Sequence, residues 1–218
     1  MISTMYHHNM NTVRRGSLLL LGLLMFTGAL QAQPDLATNK SQPFFSVFAA
    51  VGYSRTAFNA SESFSGIEKS SSPQFRAQID YHVNPYLSAS VGMASLGSTA
   101  FRGVNALGTG AAQSGEISSL SAEAAVAGHL PLTRMSALYI RAGGSYMNVR
   151  MSQVSDGAST TLHSNGISPF TGVGVEVDVM NHVGFRMGMD WYFNAGNPDA
   201  TGQGTINAAY GGFAFRFH

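Results

Sequence analysis

Eight stretches of this chain alternate, residue by residue, between two sets of side chains, and in nearly all of them one set carries no charge. Period-two alternation means extended strands, because successive side chains leave a strand on opposite faces. The clearest stretch sets Phe75, Ala77, Ile79, Tyr81 and Val83 against Gln74, Arg76, Gln78, Asp80 and His82. Another sets Phe185, Met187, Met189, Trp191 and Phe193 against Arg186, Gly188, Asp190 and Tyr192. The last stretch ends the chain as TINAAYGGFAFRFH, with Phe213, Phe215 and Phe217 on one face and Tyr210, Gly212 and Arg216 on the other. Three phenylalanines on a water-facing edge strand would be adhesive; they suit a strand that faces lipid.

Composition supports the same surroundings. Charged residues make up 11% of the chain, against roughly 25% in typical soluble domains. Low charge without long apolar runs is awkward for a soluble surface and natural for a transmembrane barrel, whose signal per strand is weak. The charges that do occur within the strands fall on the second face: Arg76, Asp80, Glu123, Arg141, Glu176, Asp178, Arg186, Asp190 and Arg216. An ionised group facing acyl chains costs ~2–4 kcal/mol near the bilayer midplane, so these nine are expected in the lumen. A barrel of about eight strands is too narrow for an open channel and is filled by side chains. Gly, Ala and Ser from the same face would then pack around the charges.

The connections are expected to alternate in length. Residues 59–72, 98–115, 150–165 and 195–204 read as long polar loops, and 84–85, 131–135 and 181–182 as short turns. Short turns at one end and long loops at the other are the asymmetry of outer-membrane barrels, whose short turns are periplasmic. Strands of ~9–11 residues match a tilted strand's path across the hydrocarbon. Tyr53, Phe75, Tyr146, Trp191 and Phe193 near one end, and Tyr81, Phe185 and Phe217 near the other, read as interfacial girdles.

The N-terminal region carries a basic pair, Arg14 and Arg15, an apolar run Leu18–Phe26, and small residues up to Ala32. This is the pattern of a secretory signal peptide. The expected organisation is a signal peptide over residues 1–32, a short periplasmic lead over 33–43, and a barrel over 44–218. The fold class is all-β: an antiparallel up-and-down transmembrane β-barrel of about eight strands, preceded by a cleavable signal peptide. Without residues 1–32 the chain has ten basic and eleven acidic residues and no basic patch, so nothing points to nucleic acid. It has no cysteine, which excludes a disulfide framework and a lipid anchor on cysteine.

The terminal stretch resembles the C-terminal signal of outer-membrane barrels, carried here by Tyr210, Gly212, Phe215 and Phe217, with His218 as an added residue. Together with GVGVEVDV (Gly172–Val179) and NHVGFRMGMDWYF (Asn181–Phe193), it makes the chain similar to the small eight-stranded outer-membrane proteins. These include the membrane domain of outer membrane protein A, outer membrane protein X, and the attachment-invasion and opacity proteins. The resemblance implies residence in the outer membrane with loops outside and both termini in the periplasm. Its implied partners are outer-membrane lipid and lipopolysaccharide, the outer-membrane insertion machinery, and a host or cell-surface ligand held by the external loops. A role in adhesion or envelope integrity follows, with a narrow passive pore as the alternative and a lipid A-modifying enzyme third.

Catalytic and metal chemistry find little support. WYFNAG (Trp191–Gly196) faintly resembles a lipid A deacylase motif, but Trp191 and Phe193 stand where its histidine and serine would be, so nucleophile and base are missing. His163 and Ser164 are adjacent in a loop reading and have no third partner nearby in sequence. Gly172-x-Gly174 precedes no helix and is no dinucleotide loop. His82, His129 and His182 match no metal-ligand spacing. No catalytic residue, cofactor or metal is expected. The loops carry few apolar anchors, namely Phe64, Ile67, Phe101, Leu107 and Leu162.

Overall fold

The computed structural model describes residues 44–59, 64–65, 71–105, 112–155, 158–180, 182–197 and 202–217. The signal-peptide and lead segments, Ile67, Leu107, Asn181 and His218 lie outside them. The strands are β1 (Phe44–Asn59), β2 (Phe64–Ser65), β3 (Ser71–Asn84), β4 (Leu87–Asn105), β5 (Ala112–Pro131), β6 (Ser136–Ser155), β7 (Ala158–Met180), β8 (Val183–Asn197) and β9 (Gly202–Phe217). Each long strand pairs antiparallel with its neighbours in the chain, and β9 pairs with β1 from Phe45↔Phe217 to Asn59↔Gln203. Eight long strands therefore close into a barrel, and β2 is a two-residue addition to the far end of β4.

Alternation settles which way each strand faces. Along β3, every even-numbered side chain from Ser72 to His82 is buried and every odd-numbered one is exposed. The exposed set around the barrel includes Phe45, Val51, Tyr53, Phe75, Ile79, Val91, Val126, Ile140, Tyr146, Ile167, Phe213, Phe215 and Phe217. Among the described side chains, the only outward-facing charged ones are Arg55, Glu116, Arg134 and Arg150. The outer wall between the ends is thus apolar, which is the surface that lipid requires.

The three short connections are tight. At one of them, the Asn84 side-chain carbonyl accepts the Tyr86 N–H at 2.8 Å. At the next, Leu132 and Thr133 N–H groups both donate to the Ser136 carbonyl. Each turn is also sewn to the neighbouring strand. His129 donates to the Tyr86 carbonyl, Asp178 to that of Met135, and Arg216 to that of His182.

The opposite end departs from expectation. Residues 98–105, 112–115, 150–155 and 158–165 are strand, and the long strands run 14 to 23 residues. The Ser- and Gly-rich composition suggested loops there. Pairing overrides that propensity because the alternation continues: Thr99, Met151 and Ser164 keep pointing inward. Two bulges then divide the wall. The register shifts at Ser95/Ser98 in β4, where Gly97 has φ 74°, and at Tyr192/Ala195 in β8, where Asn194 has φ 56° and Gly196 has φ 89°. Left-handed backbone of this kind suits glycine and asparagine and swaps the faces of the residues that follow. Beyond the bulges β4 leaves β3 but stays with β5, and β8 leaves β7 but stays with β9. The wall continues as two separate sheets, β4–β5–β6–β7 and β8–β9–β1. Hydroxyls serve carbonyls at the parting. Ser54 donates to the Leu96 carbonyl and Ser72 to that of Ser98, while Ser168 reaches that of Asn194 at 3.5 Å.

Candidate functional site

The interior of the barrel is built from the inward parity of all eight strands, and it is stratified along the axis. Nearest the short turns, Phe44 stacks on His82 with centroids 4.2 Å apart. His82 lies 5.3 Å from His129, and their Nε2 atoms meet Ser46 Oγ at 3.3 Å and Ser88 Oγ at 2.8 Å. Arg216 joins this layer, donating to Glu176 Oε1 at 2.5 Å and to Asp178.

Deeper in, Arg186 sits between the Phe48 and Tyr139 rings, at 4.8 and 5.5 Å from their centroids. Its guanidinium donates to Asp80 Oδ2 at 2.9 Å and twice to Glu176 Oε2, at 3.0 and 3.2 Å. The next layer holds Arg76 and Arg141 around Asp190 and Glu123. Arg141 reaches Glu123 at 2.9 Å, Asp190 at 3.1 Å and the Gln78 side-chain Oε1 at 2.5 Å. Arg76 pairs with Asp190, lies 3.6 Å from Glu123, and donates to the Tyr192 hydroxyl at 2.5 Å. Tyr192 passes its own proton toward Glu123 at 2.5 Å. Tyr210 donates to Asp190 at 3.3 Å, which leaves it to accept from Tyr139 at 3.0 Å. The Arg76 guanidinium also lies 4.3 Å from the Tyr210 ring centroid.

All nine expected lumen charges therefore stand on the inner face, four arginines against five carboxylates, and each arginine has at least two anionic partners. A buried charge needs such pairing, since an isolated one costs several kcal/mol. The partners were expected mainly on adjacent strands. Arg186–Glu176 and Arg141–Glu123 do pair across adjacent strands. Arg76–Asp190 and Arg186–Asp80 instead span the lumen between β3 and β8. The reason is width: eight strands leave the interior narrow enough for one arginine to cross it.

Two glycines make room for this. A Cβ at Gly172 would meet the Asp190 carboxylate, and one at Gly174 would meet the Tyr139 hydroxyl. The GVGVEVDV pattern is thus a strand whose inward positions are emptied for its neighbours. Gly212 is similar, because a Cβ there would run into the Ala49 carbonyl across the β9–β1 seam. The four residues of the terminal pattern divide between faces, with Tyr210 and Gly212 inside, and Phe215 and Phe217 outside.

Above the charges lies an apolar layer that was not anticipated. Leu96, Ile117, Met147, Val149, Met151, Phe170 and Ile206 are all buried in one cluster with the Tyr192 ring. Met147, Val149 and Met151 share the parity of Arg141 in β6, so their direction could have been read from the alternation. Tyr139, Tyr192 and Tyr210 were missed as network members for a different reason: a strand pattern shows that a tyrosine points inward but not which carboxylate it meets.

The remaining candidates separate. His163 is exposed and Ser164 is buried, so their side chains leave β7 on opposite faces. Trp191–Gly196 forms the β8 bulge. Phe64 belongs to β2 and Phe101 to β4, while Leu162 is exposed on β7. Among the described residues, no group of three or more His, Cys, Asp or Glu is placed to hold a metal ion.

Comparison with known proteins agrees with this architecture. The family model described as OmpA-like transmembrane domain matches residues 44–218. Outer membrane protein A of Salmonella typhi is 30% identical over 139 residues, covering 63% of this chain and 38% of that protein. Outer membrane protein A of Klebsiella pneumoniae is also 30% identical, over 140 residues, 63% of this chain and 39% of its own length. This chain thus matches well under half the length of those curated relatives. Among solved structures, Neisserial surface protein A superposes with a TM-score of 0.54 at 15% identity, covering 79% of this chain and 97% of that one. The attachment invasion locus protein Ail of Yersinia pestis gives 0.50 at 15% identity, covering 82% and 99%.

Proposed function

Given that the chain belongs to the OmpA-like transmembrane domain family, we propose that this outer-membrane β-barrel acts as a structural and surface-interaction protein rather than as a conduit or an enzyme. One observation carries the reading. The lumen is occupied along its length, first by a connected set of buried ion pairs and then by a layer of packed aliphatic side chains. Ions would have to displace paired charges and then cross an apolar layer, and both steps are costly. The parts free to act on the surroundings are the outer wall and the two sheets beyond the bulges, so recognition belongs there.

The orientation that goes with this reading has the short turns and both chain termini in the periplasm and the long sheets outside the cell. Residues 1–32 serve as a cleaved signal peptide and 33–43 as a lead. Phe215 and Phe217, with Tyr210 and Gly212, serve as the signal read by the outer-membrane insertion machinery. The nine lumen charges are structural ballast for the barrel, not a relay.

Planar-bilayer recording on the refolded protein tests the central claim. The expected result is a baseline without discrete steps. Reproducible openings of ionic size would favour the narrow-pore alternative and overturn the proposed one.

A further inference from the structure

Two buried histidines near the short turns belong to none of the ion pairs described above. His82 on β3 and His129 on β5 both point into the lumen, at 5% and 9% exposure. Strand β4 runs between them, and its Ser88 stands opposite His82 in the register. The two ring centroids lie 5.3 Å apart. Phe44 covers one face of His82, with 6° between the planes, and the Tyr139 ring lies 6.1 Å from that of His129. The pair is therefore enclosed between Phe44 and Tyr139.

Hydrogen bonding provides for these rings only without a second proton. Ser46 Oγ donates to Asp80 Oδ2 at 3.2 Å. Its lone pair is then what meets His82 Nε2 at 3.3 Å, so Nε2 carries that ring's proton. His129 Nε2 meets Ser88 Oγ at 2.8 Å. Neither Nδ1 has a hydrogen-bond partner among the described residues. A histidinium donates from both nitrogens, so a second proton on either ring would leave a buried N–H without an acceptor. Charge leads to the same place. The ionic groups facing the pair are Asp80 on β3, Glu176 on β7, Arg186 on β8 and Arg216 on β9. Both carboxylates are already held by these two arginines, and Asp178, the next carboxylate, is bonded to Arg216. Two further positive charges would face two guanidiniums with no spare carboxylate between them.

We propose that His82 and His129 form an acid-sensitive latch at the turn end of the lumen. With neither ring charged, the pair packs under Phe44 and holds this end closed. With both protonated, the rings repel each other, Arg186 and Arg216. The ends of β1, β3 and β5 that carry Phe44, His82 and His129 then part first. The layer of Arg76, Arg141, Asp190 and Glu123 has balanced charge and no histidine, and with the apolar layer it stays in place. The latch goes beyond the structural role proposed above and works whichever way the barrel faces.

The test uses the refolded chain in lipid vesicles, with urea unfolding followed by Trp191 fluorescence. A histidine in an unfolded chain takes up a proton near pH ~6.5. Where the folded barrel has no place for that proton, stability is full above that pH and is lost as pH falls below it. Between about pH 8 and about pH 5, each such histidine shifts the unfolding equilibrium by up to about 30-fold, and two by up to about 1,000-fold. The wild type should approach the larger figure, His82→Gln and His129→Gln the smaller one, and the double variant should change little. His163→Gln, at an exposed ring, should match the wild type. Hydrogen exchange, corrected for intrinsic rates, locates the change: in acid, residues 44–48, 80–84 and 127–131 should lose protection before 145–151, and only when both histidines are present. Histidine ring NMR of the wild type carries the test should the variants not refold. Two ring signals should hold their positions where those of the exposed histidines are half-titrated. Unfolding of the wild type that ignores pH, an undiminished acid loss in the double variant, a uniform loss of protection, or ring signals that all titrate together would each overturn the latch.

Discussion

Replacing Arg186 by Met probes the interior most directly. Arg186 is buried, bonds both Asp80 and Glu176, and packs between Phe48 and Tyr139. Met fills much of the same volume without charge. Its two anionic partners would not suffer equally. Glu176 keeps Arg216 at 2.5 Å, whereas Asp80 keeps only the neutral donors Ser46 and Gln78. Breaking a buried pair by removing one partner costs about 3–5 kcal/mol, and the surviving Arg216 contact places the expected loss at the lower end, ~3 kcal/mol. Adding Asp80→Asn removes the stranded charge and should recover ~2 kcal/mol of that, a coupling within the range for directly contacting groups. The assay is urea unfolding of the refolded protein in lipid vesicles. Trp191, the single tryptophan, reports through its fluorescence, and heat-modifiable gel migration provides an independent readout. If Arg186→Met alone cost under ~1 kcal/mol, or if Asp80→Asn added to the loss instead of relieving it, the pairing argument would be refuted.

Three further outcomes are expected. Phe217→Asp puts a carboxylate on the lipid face and should slow or abolish insertion into vesicles, whereas removing His218 should leave insertion rates unchanged; comparable rates for Phe217→Asp and wild type would sink the assignment of that face. Gly174→Val should drive a Cβ into the Met187 backbone carbonyl and the end of the Tyr139 ring and lower stability by ~1–3 kcal/mol through overpacking; because the carbonyl stays in place, Tyr139→Phe should recover little of the loss, and full recovery in the same unfolding assay would refute the crowding argument. Met147→Ala opens a void in the apolar layer and should cost about 2–5 kcal/mol, yet bilayer recordings should stay silent because the ion pairs below still close the lumen; discrete openings would locate the barrier in the apolar layer alone.

Direction was the legible part of this molecule. Parity assigned Phe75 and Phe213 to the outside and Arg76 and Arg216 to the inside, because a strand offers a side chain only two choices. Strand ends were poorly legible. Residues such as Ser98, Ser114 and Ser159 look like loop, and only pairing with a partner strand holds them extended. Partners across the lumen were not legible at all. Nothing local to Arg76 singles out Asp190, which lies 114 positions away, since that contact depends on strand count and stagger. The outward positions of Arg150 and His163 were hidden for the simpler reason that residues 150–165 were read as loop, where parity has no meaning.

The two bulges have a consequence for how this barrel can change over time. In an uninterrupted strand, inserting a single residue turns every later side chain to the wrong face. Here the register is already broken once in β4 and once in β8, at Gly97 and Asn194. Length changes beyond those points do not propagate back into the lipid-facing rows, because the count restarts at the bulge. The outer parts of β4 and β8 can therefore change in length while the closed section keeps its inside and outside. The break in pairing separates the closed, lipid-facing section from outer stretches of β4 and β8 whose length that section does not fix.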